Sequence, residues 1–301
     1  MISLNVYLST TGGGKRDIMR AFGEGARKFG VEVNFVELHQ YIKSDFAMIF
    51  AHKSEGTDSP NHRFRQTVMN KHNDNIFFVD SNVLKAYEKD VRYFRFPQGS
   101  IHPHEANYMI DGDTSRNNQV IKQMNIKIKP WRKEGNHICL FLNRGIGGFS
   151  TFGKPCYEWA KETVKEIRKF SDRPILIRSH RHAGETQQLK EDKKNLDYIM
   201  NNYKDITHTR LGETSIYDDL KNAWACVVYT STSGAVAMLE GIPMFSTHEA
   251  CFSHQWSAGK LSEIEEPCLN NRENFITHYA NAHWNLDEVR KGYYWEKYAA
   301  S

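Results

Sequence analysis

The chain runs twice through the same alternation, a short β-rich apolar segment, a turn of small or polar residues, then a helical period. A polar, basic stretch around Pro130 and Trp131 separates the two series. Strands that alternate with helices cannot pair through tight hairpins. They need crossovers, and the helices then cover the faces of a parallel sheet. In the first series, residues 2–8 read as a strand, Ser9-Thr10-Thr11-Gly12-Gly13-Gly14 as a turn and 15–29 as a helix. Residues 31–36 and 46–51 follow as strands, and 76–79 as a short buried strand ended by Asp80. In the second series, strands are expected over 137–142, 174–178, 225–229 and 243–245. Helices are expected over 155–170, 184–203, 215–222 and 235–239, and the aromatic-rich 275–298 reads as terminal helices. The predicted fold class is α/β with two Rossmann-like domains, 1–130 and 131–275, and with 276–301 packing back across the junction.

With 40% apolar and 25% charged residues, the 301-residue chain has the composition of a soluble globular protein. Cys139, Cys156, Cys226, Cys251 and Cys268 form no C-x-x-C pair, which fits free thiols in a reducing compartment. No apolar run approaches the roughly 20 residues of a membrane span. Met1 leads straight into a strand-like segment, so a cytoplasmic location is expected, the host cytoplasm if the gene is a phage's. No His/Cys cluster has metal-ligand spacing, and no tightly bound metal is expected. Asp111-Gly112-Asp113 spells a D-x-D but sits in the polar stretch and reads as a turn. Gly12-Gly13-Gly14-Lys15 lacks the first glycine of a P-loop and has Arg16 where a magnesium-binding Ser or Thr belongs, which excludes a kinase or ATPase of that type.

The most informative segment is Val227-Val228-Tyr229-Thr230-Ser231-Thr232-Ser233-Gly234, where a buried strand delivers hydroxyl residues and a glycine onto a helix start. Free backbone N–H groups and the helix dipole favour a phosphate there, although ordinary N-capping by Ser or Thr needs no ligand. Arg178-Ser179-His180 ends the strand before it, at the edge where open α/β sheets bind ligands. Arg178 can grip phosphate oxygens and His180 can donate to a leaving phosphate; a surface ion pair and a capped core histidine are the alternatives. In Asn143-Arg144-Gly145-Ile146-Gly147-Gly148, Gly147 can let backbone amides approach a pyrophosphate while Arg144 neutralises charge, or the loop is simply a flexible turn.

Arg178-Ser179-His180, the short helix at 215–222, Ser231-Thr232-Ser233-Gly234 and Gly241-Ile242-Pro243 together resemble the GT-B glycosyltransferases related to capsular-polysaccharide and Kdo transferases, and the glycosyltransferase-like proteins of tailed phages. Lys129-Pro130-Trp131-Arg132, Gly135-Asn136-His137-Ile138 and residues 284–295 resemble phage sequences as well. The resemblance implies two domains facing a central cleft, with a nucleotide-sugar donor, a UDP-sugar favoured, held by Arg178, His180, Ser231, Thr232, Ser233 and Gly234, to which the loop reading adds Arg144 and Gly147. One departure is Val236, where many such enzymes carry a ribose-binding glutamate; Glu240 is not an obvious replacement.

An inverting transferase needs a base for the acceptor proton. Asp80, at the end of a buried strand, is the first candidate, and its placement resembles the catalytic aspartate of a phage β-glucosyltransferase acting on hydroxymethylcytosine. A cap or turn role is its alternative. His52 is second, followed by His102 and His104. Up to Glu134 the chain has 20 of its 40 Lys/Arg against 15 of its 36 Asp/Glu, so the first half carries the positive surplus. Arg63 and Arg65 around Phe64, Arg92 and Arg95 around Tyr93-Phe94, and Arg132 suit phosphate contact and base stacking. The favoured acceptor is a 5-hydroxymethylated pyrimidine in phage DNA. A cell-surface polysaccharide or lipid-linked glycan is the alternative if the aromatics are core, and a non-catalytic nucleic-acid-binding protein on a degenerate Rossmann pair is the rival from another class.

Overall fold

A computed structural model describes residues 1–50, 59–108, 110–143, 155–179, 187–210, 212–269 and 272–300. The elements run β1 (Ser3–Tyr7), α1 (Lys15–Arg27), β2 (Glu32–Val36), β3 (Phe46–Phe50), α2 (Pro60–His72), β4 (Ile76–Ser81), β5 (Tyr93–Arg95) and α3 (Asn117–Met124). There follow β6 (His137–Phe141), α4 (Cys156–Ile167), β7 (Ile175–Ser179), α5 (Gln187–Asn202), β8 (Ile206–Arg210), α6 (Ile216–Leu220), β9 (Ala223–Val228), α7 (Ser233–Leu239) and β10 (Met244–Ser246). The chain closes with α8 (Glu273–Ala282), β11 (His283–Asn285), α9 (Leu286–Lys291) and α10 (Tyr293–Ala300). Two compact units result: 1–50, 59–126 and 273–300 among the described residues form the first, and those from 127 to 272 the second.

In the first unit β2, β1, β3 and β4 lie parallel in that order, and β5 and β11 extend the sheet antiparallel, each to its neighbour. The central strands are apolar on both faces because both are covered. Leu4, Val6, Met48, Phe77 and Val79 pack with Phe22 of α1 and with Val289, Tyr294 and Trp295 of the tail. Tyr7, Ala47, Ile49, Ile76 and Phe78 meet Phe64 and Val68 of α2. The tail is keyed in by Trp295 Nε1, which donates to the Phe22 carbonyl at 3.0 Å, and by Arg116, which bonds Glu288 at 2.8 Å and lies 3.8 Å above the Trp284 ring.

The second sheet is parallel throughout, in the order β10-β9-β6-β7-β8. Ile138, Leu140, Ile175, Ile177, Ala225 and Val227 form one core face with α4 and α5. Cys139 and Cys226 lie on the other, and burial pushes both thiols up. All five cysteines are free, and only Cys268 is exposed.

Residues 127–132, part of the polar stretch that separates the two series in sequence, lie against the end of α7 and the turn that follows it. Lys129 N donates to Leu239 O at 2.9 Å and Arg132 N to Gly241 O at 2.7 Å. Arg272 donates to Met238 O and Lys129 O, each at 2.7 Å, and stacks 3.8 Å from Trp131. Gly241 has φ +81°, and a Cβ on it would meet Pro130 O at 2.1 Å. The glycine of Gly241-Ile242-Pro243 is therefore the seat of Pro130.

Four elements were not foreseen. Helix α2 buries only Phe64, Val68 and His72, too thin a stripe to stand out. Strand β8 is exposed or half-buried along its length. Strand β5 is only three residues long. Strand β11 interrupts what reads as continuous helix, because Asn285 leaves the strand and caps α9 in a reciprocal box with Glu288. No helix among the described residues is long and apolar enough to cross a membrane.

Candidate active site

In the second sheet the chain moves from β6 to β7 and β8 on one side, then returns to place β9 and β10 on the other. Winding therefore reverses between β6 and β9, and the loops leaving that point part to make the crevice where open α/β sheets take ligands. Asn143 and Thr230 stand at this point and bond each other: Asn143 Nδ2 donates to Thr230 Oγ1 at 2.6 Å, and Thr230 N to Asn143 Oδ1 at 3.4 Å. Thr230 leads into Ser231, Thr232 and Ser233 at the start of α7. Ser231 Oγ accepts from Ser233 N at 3.4 Å, while Thr232 is exposed with no side-chain cap bond. Gly234 is buried, and a Cβ there would meet Val228 and Met244 side chains at 3.0 Å. Close helix-to-strand packing, not ligand approach, accounts for this glycine. Val236 is buried, and Glu240 lies at the far end of α7, paired with Lys129.

Arg178 is placed differently from the phosphate-gripping arginine read from sequence. Its guanidinium points into the unit, pairs with Asp219 of α6, and donates to Thr214 Oγ1 at 2.8 Å and Thr214 O at 2.9 Å. Thr209 and Thr214 hydroxyls bond the same carboxylate at 3.1 and 3.0 Å, so the group is a buried network joining β7, β8 and α6. An ion pair is found, but a buried one and not the surface pair that was the alternative. Arg144, Gly147 and His180 lie outside the described residues, as does His52.

Beside the switch point the ends of β9 and β10 open into a groove of about 460 Å³, lined by Trp159, Glu162 and Glu166 on one face of α4 and by Tyr229, Thr247 and His248. The Tyr229 ring lies 5.6 Å from that of Trp159 and 4.7 Å from that of His248. Trp159 Nε1 donates to Thr247 Oγ1 at 2.9 Å. A second cavity of about 540 Å³, with Ser246, His254 and Lys260, shares Glu166, Thr247 and Leu261 with the first.

In the first unit Asp80 does end a buried strand, but it pairs across to Arg95, its register partner on β5, at 2.5 Å. Its other oxygen accepts from Ser81 N at 2.6 Å. Burial opposes the charge of Arg95, yet Asp80 and Tyr108 outweigh it and raise its pKa. Arg95 is engaged by Asp80 within the sheet, with its side chain 13% exposed. Arg65 donates to the Thr10 carbonyl, and Arg132 lies in the second unit with bonds to Leu220 O and Ala223 O at 2.8 Å. Arg63 and Arg92 are exposed. Phe64 and Tyr93 are core residues, whereas Phe94 is half-buried and with Arg92 lines a groove of about 360 Å³ that also holds Asp17, Asp90 and Asp287. His102 is half-buried, and the exposed His104 lies 3.6 Å from Glu105. Asp111-Gly112-Asp113 forms successive Asx turns, closed by Lys297 on Asp111 at 2.9 Å. Among the described residues no three His, Cys, Asp or Glu side chains are grouped to hold a metal.

No protein-family model matches the chain, and no curated protein does. Among solved structures it is similar to the β-Kdo 2,7-transferase KpsC of Thermosulfurimonas dismutans, at 12% identity and a TM-score of 0.51 over 96% of this chain and 98% of that one. The fold is GT-B. Weaker likenesses are to the β-Kdo 2,4-transferase KpsC of the same organism (11% identity, TM-score 0.46, 96% and 98% covered) and to the UDP-GlcNAc 2-epimerase of Methanocaldococcus jannaschii (11%, 0.33, 90% and 93%).

On this GT-B chain the groove residues Trp159, Glu162, Thr247 and His248 were missed from sequence, and Tyr229 was read only as part of the strand leading to the hydroxyl-rich turn. A signal was present: Trp159, Glu162 and Glu166 recur at helical spacing, which sets a tryptophan and two carboxylates on one face of α4. Nothing in the linear pattern pairs that face with the end of β10.

Proposed function

We propose that this chain is a glycosyltransferase that takes a sugar from a nucleotide-sugar donor held by its second unit and passes it to a hydroxyl of a glycan acceptor. The observation that carries this is the Asn143–Thr230 pair at the winding reversal, with the hydroxyl-rich turn on one side and the aromatic groove on the other. Backbone amides and hydroxyls at such a point suit a diphosphate, Tyr229 and His248 offer rings for a base, and Glu162 and Glu166 can accept from ribose hydroxyls. In the reaction the bond from anomeric carbon to phosphate oxygen breaks, the bond to the acceptor oxygen forms, and the acceptor's proton passes to a base. The packing of Phe64 and Tyr93 in the core supports a glycan acceptor over an extruded DNA base.

Calorimetric titration with a panel of nucleotide sugars, UDP-sugars first, tests the donor. Saturable heat from at least one is expected, and none from any of them would overturn the assignment. Mass spectrometry of glycan acceptors and of hydroxymethylcytosine DNA after incubation with the bound donor then decides the acceptor. Adducts only on DNA would reverse that part.

A further inference from the structure

Each sheet ends in two edge strands, whose outward N–H and C=O groups invite a further strand unless something takes or guards them. On β11, Arg116 donates to the His283 carbonyl at 3.0 Å and Asn285 N donates to Glu288 at 2.9 Å. On β10, Ala258 N donates to the Met244 carbonyl at 2.7 Å and Ser246 N to Ser257 Oγ at 3.0 Å. On β2, Arg27 donates to the Val33 carbonyl at 2.8 Å, and its guanidinium lies 5.0 Å from the ring of Phe35. The fourth edge, β8, differs. Ile175 N donates to Asp205 O at 2.9 Å, which fixes the phase of the strand. Thr207 and Thr209 therefore turn their backbone groups to β7, while Ile206, His208 and Arg210 turn theirs outward. Glu213 N takes the Arg210 carbonyl at 3.0 Å, but among the described residues nothing bonds the outward N–H or C=O of Ile206 or His208. The strand has no proline and no bulge, and its one charge, Arg210, stands at its end.

This edge matches itself. Two copies of β8 laid antiparallel about a two-fold axis through His208 set that residue opposite its counterpart, each N–H meeting the other's carbonyl, and set Ile206 opposite Arg210. Burial, then the charge of Arg210, lowers the pKa of His208 against the pull of Glu213, so the facing imidazoles are neutral at pH 7. The helix above the edge fits as well. α5 joins β7 to β8 and packs beside α4, with Leu196 and Ile199 turned to the core. Tyr198 faces α4, since Lys161 Nζ lies 4.3 Å from its ring. Met200, half a turn round the helix, is on the opposite flank, beyond β8, and is 44% exposed. Strands lie about 4.8 Å apart, so the α5 helices of two copies so joined would run about 10 Å apart, a packing distance for helices. A free peptide fits less well. Neither cavity described in the second unit is lined by a β8 residue, so the alternate side chains of an added peptide would find no pocket there.

We propose that the partner of this edge is a second copy of the chain: a two-fold dimer through β8 that joins the two parallel sheets into one continuous sheet, with His208 on the axis and Met200 of each α5 in the seam. The proposal is independent of the transferase reading.

Sedimentation equilibrium on the full chain tests it, and the wild-type protein should be a dimer. His208→Asp and His208→Lys each set like charges together on the axis and should weaken the dimer about tenfold or more. An equimolar mixture of the two variants should restore it, because the facing charges are then opposite. Rescue by mixing also shows that both variants are folded. Hydrogen exchange gives a second reading. The amides of Ile206 and His208 should exchange slowly in concentrated protein and faster on dilution, while those of Thr207 and Thr209, bonded to β7, should not respond. A monomeric wild type, a dimer that both single variants leave intact, or a mixture that stays monomeric overturns the proposal. So do Ile206 and His208 amides that are indifferent to dilution.

Discussion

Arg178 and Asp219 form an ion pair whose side chains are 7% and 3% exposed, binding the end of β7 to α6. Truncating one partner of such a pair strands the other charge inside the protein, at a cost of about 3–5 kcal/mol. Arg178→Ala should therefore lower unfolding free energy by that amount in urea. A variant that keeps its stability yet loses nucleotide affinity would restore Arg178 to the phosphate site.

Asp80 and Arg95 make a comparable bridge between β4 and β5, but one that is more open to water. Asp80→Asn should cost roughly 1–3 kcal/mol, less than the deeper pair, because solvent screens what remains. Transfer should persist in the fraction that stays folded. A fall in turnover of about 10²-fold or more without loss of stability would make Asp80 the base after all.

Asn143→Ala removes both bonds to Thr230 and frees the two loops that flank the reversal. A stability loss of about 1 kcal/mol is expected, with nucleotide-sugar affinity weakened about tenfold. Calorimetry and urea titration on the same preparation separate the two effects. Unchanged affinity would move the donor away from this edge.

Acid should weaken the first unit. Burial lowers the pKa of His278 to about 4 and drives that of His283 well below its ordinary value. His283 Nε2 accepts from Val83 N at 3.3 Å, and Nδ1 faces the Tyr279 carbonyl at 3.1 Å, an arrangement made for the neutral ring. The unfolded chain takes protons on these residues from about pH 6.5 downward while the folded unit does not, so stability is full above that pH and falls between it and about pH 4. For His278 alone the loss is roughly 3 kcal/mol. Melting curves of His278→Phe should be flatter across that window, and an identical slope would place the acid sensitivity elsewhere.

Gly241→Ala sets a methyl group against the Pro130 carbonyl at a backbone angle that side chains rarely adopt. Strain of at least about 1–3 kcal/mol should follow. Thermal melts of the full chain should show it, and Gly112→Ala, equally positive in φ but with open space around it, should show less.

Both sheets were legible because fully buried parallel strands write themselves as apolar runs, as at Ile76-Phe77-Phe78-Val79 and Cys226-Val227-Val228. The edges were not. Tyr93, Phe94 and Arg95 look like a nucleic-acid motif in one dimension, and only the register with Asp80 and Ser81 reveals a strand with its aromatic turned inward. Arg178 was found at the predicted strand end, but its partner lies 41 residues onward, and no local pattern names it. Ser231 and its neighbours were visible as a hydroxyl-rich turn, whereas Trp159 and Thr247 join only when α4 is laid beside β10.

Trp284, Val289, Tyr294 and Trp295 complete the core that Phe22 and Phe77 begin. During synthesis, then, the second unit can close while the first still waits for its last wall. Until residue 295 is made, the earliest-made part of this protein remains the least finished, and a nascent chain stalled before that point leaves Phe22 and Phe77 without the tail's cover.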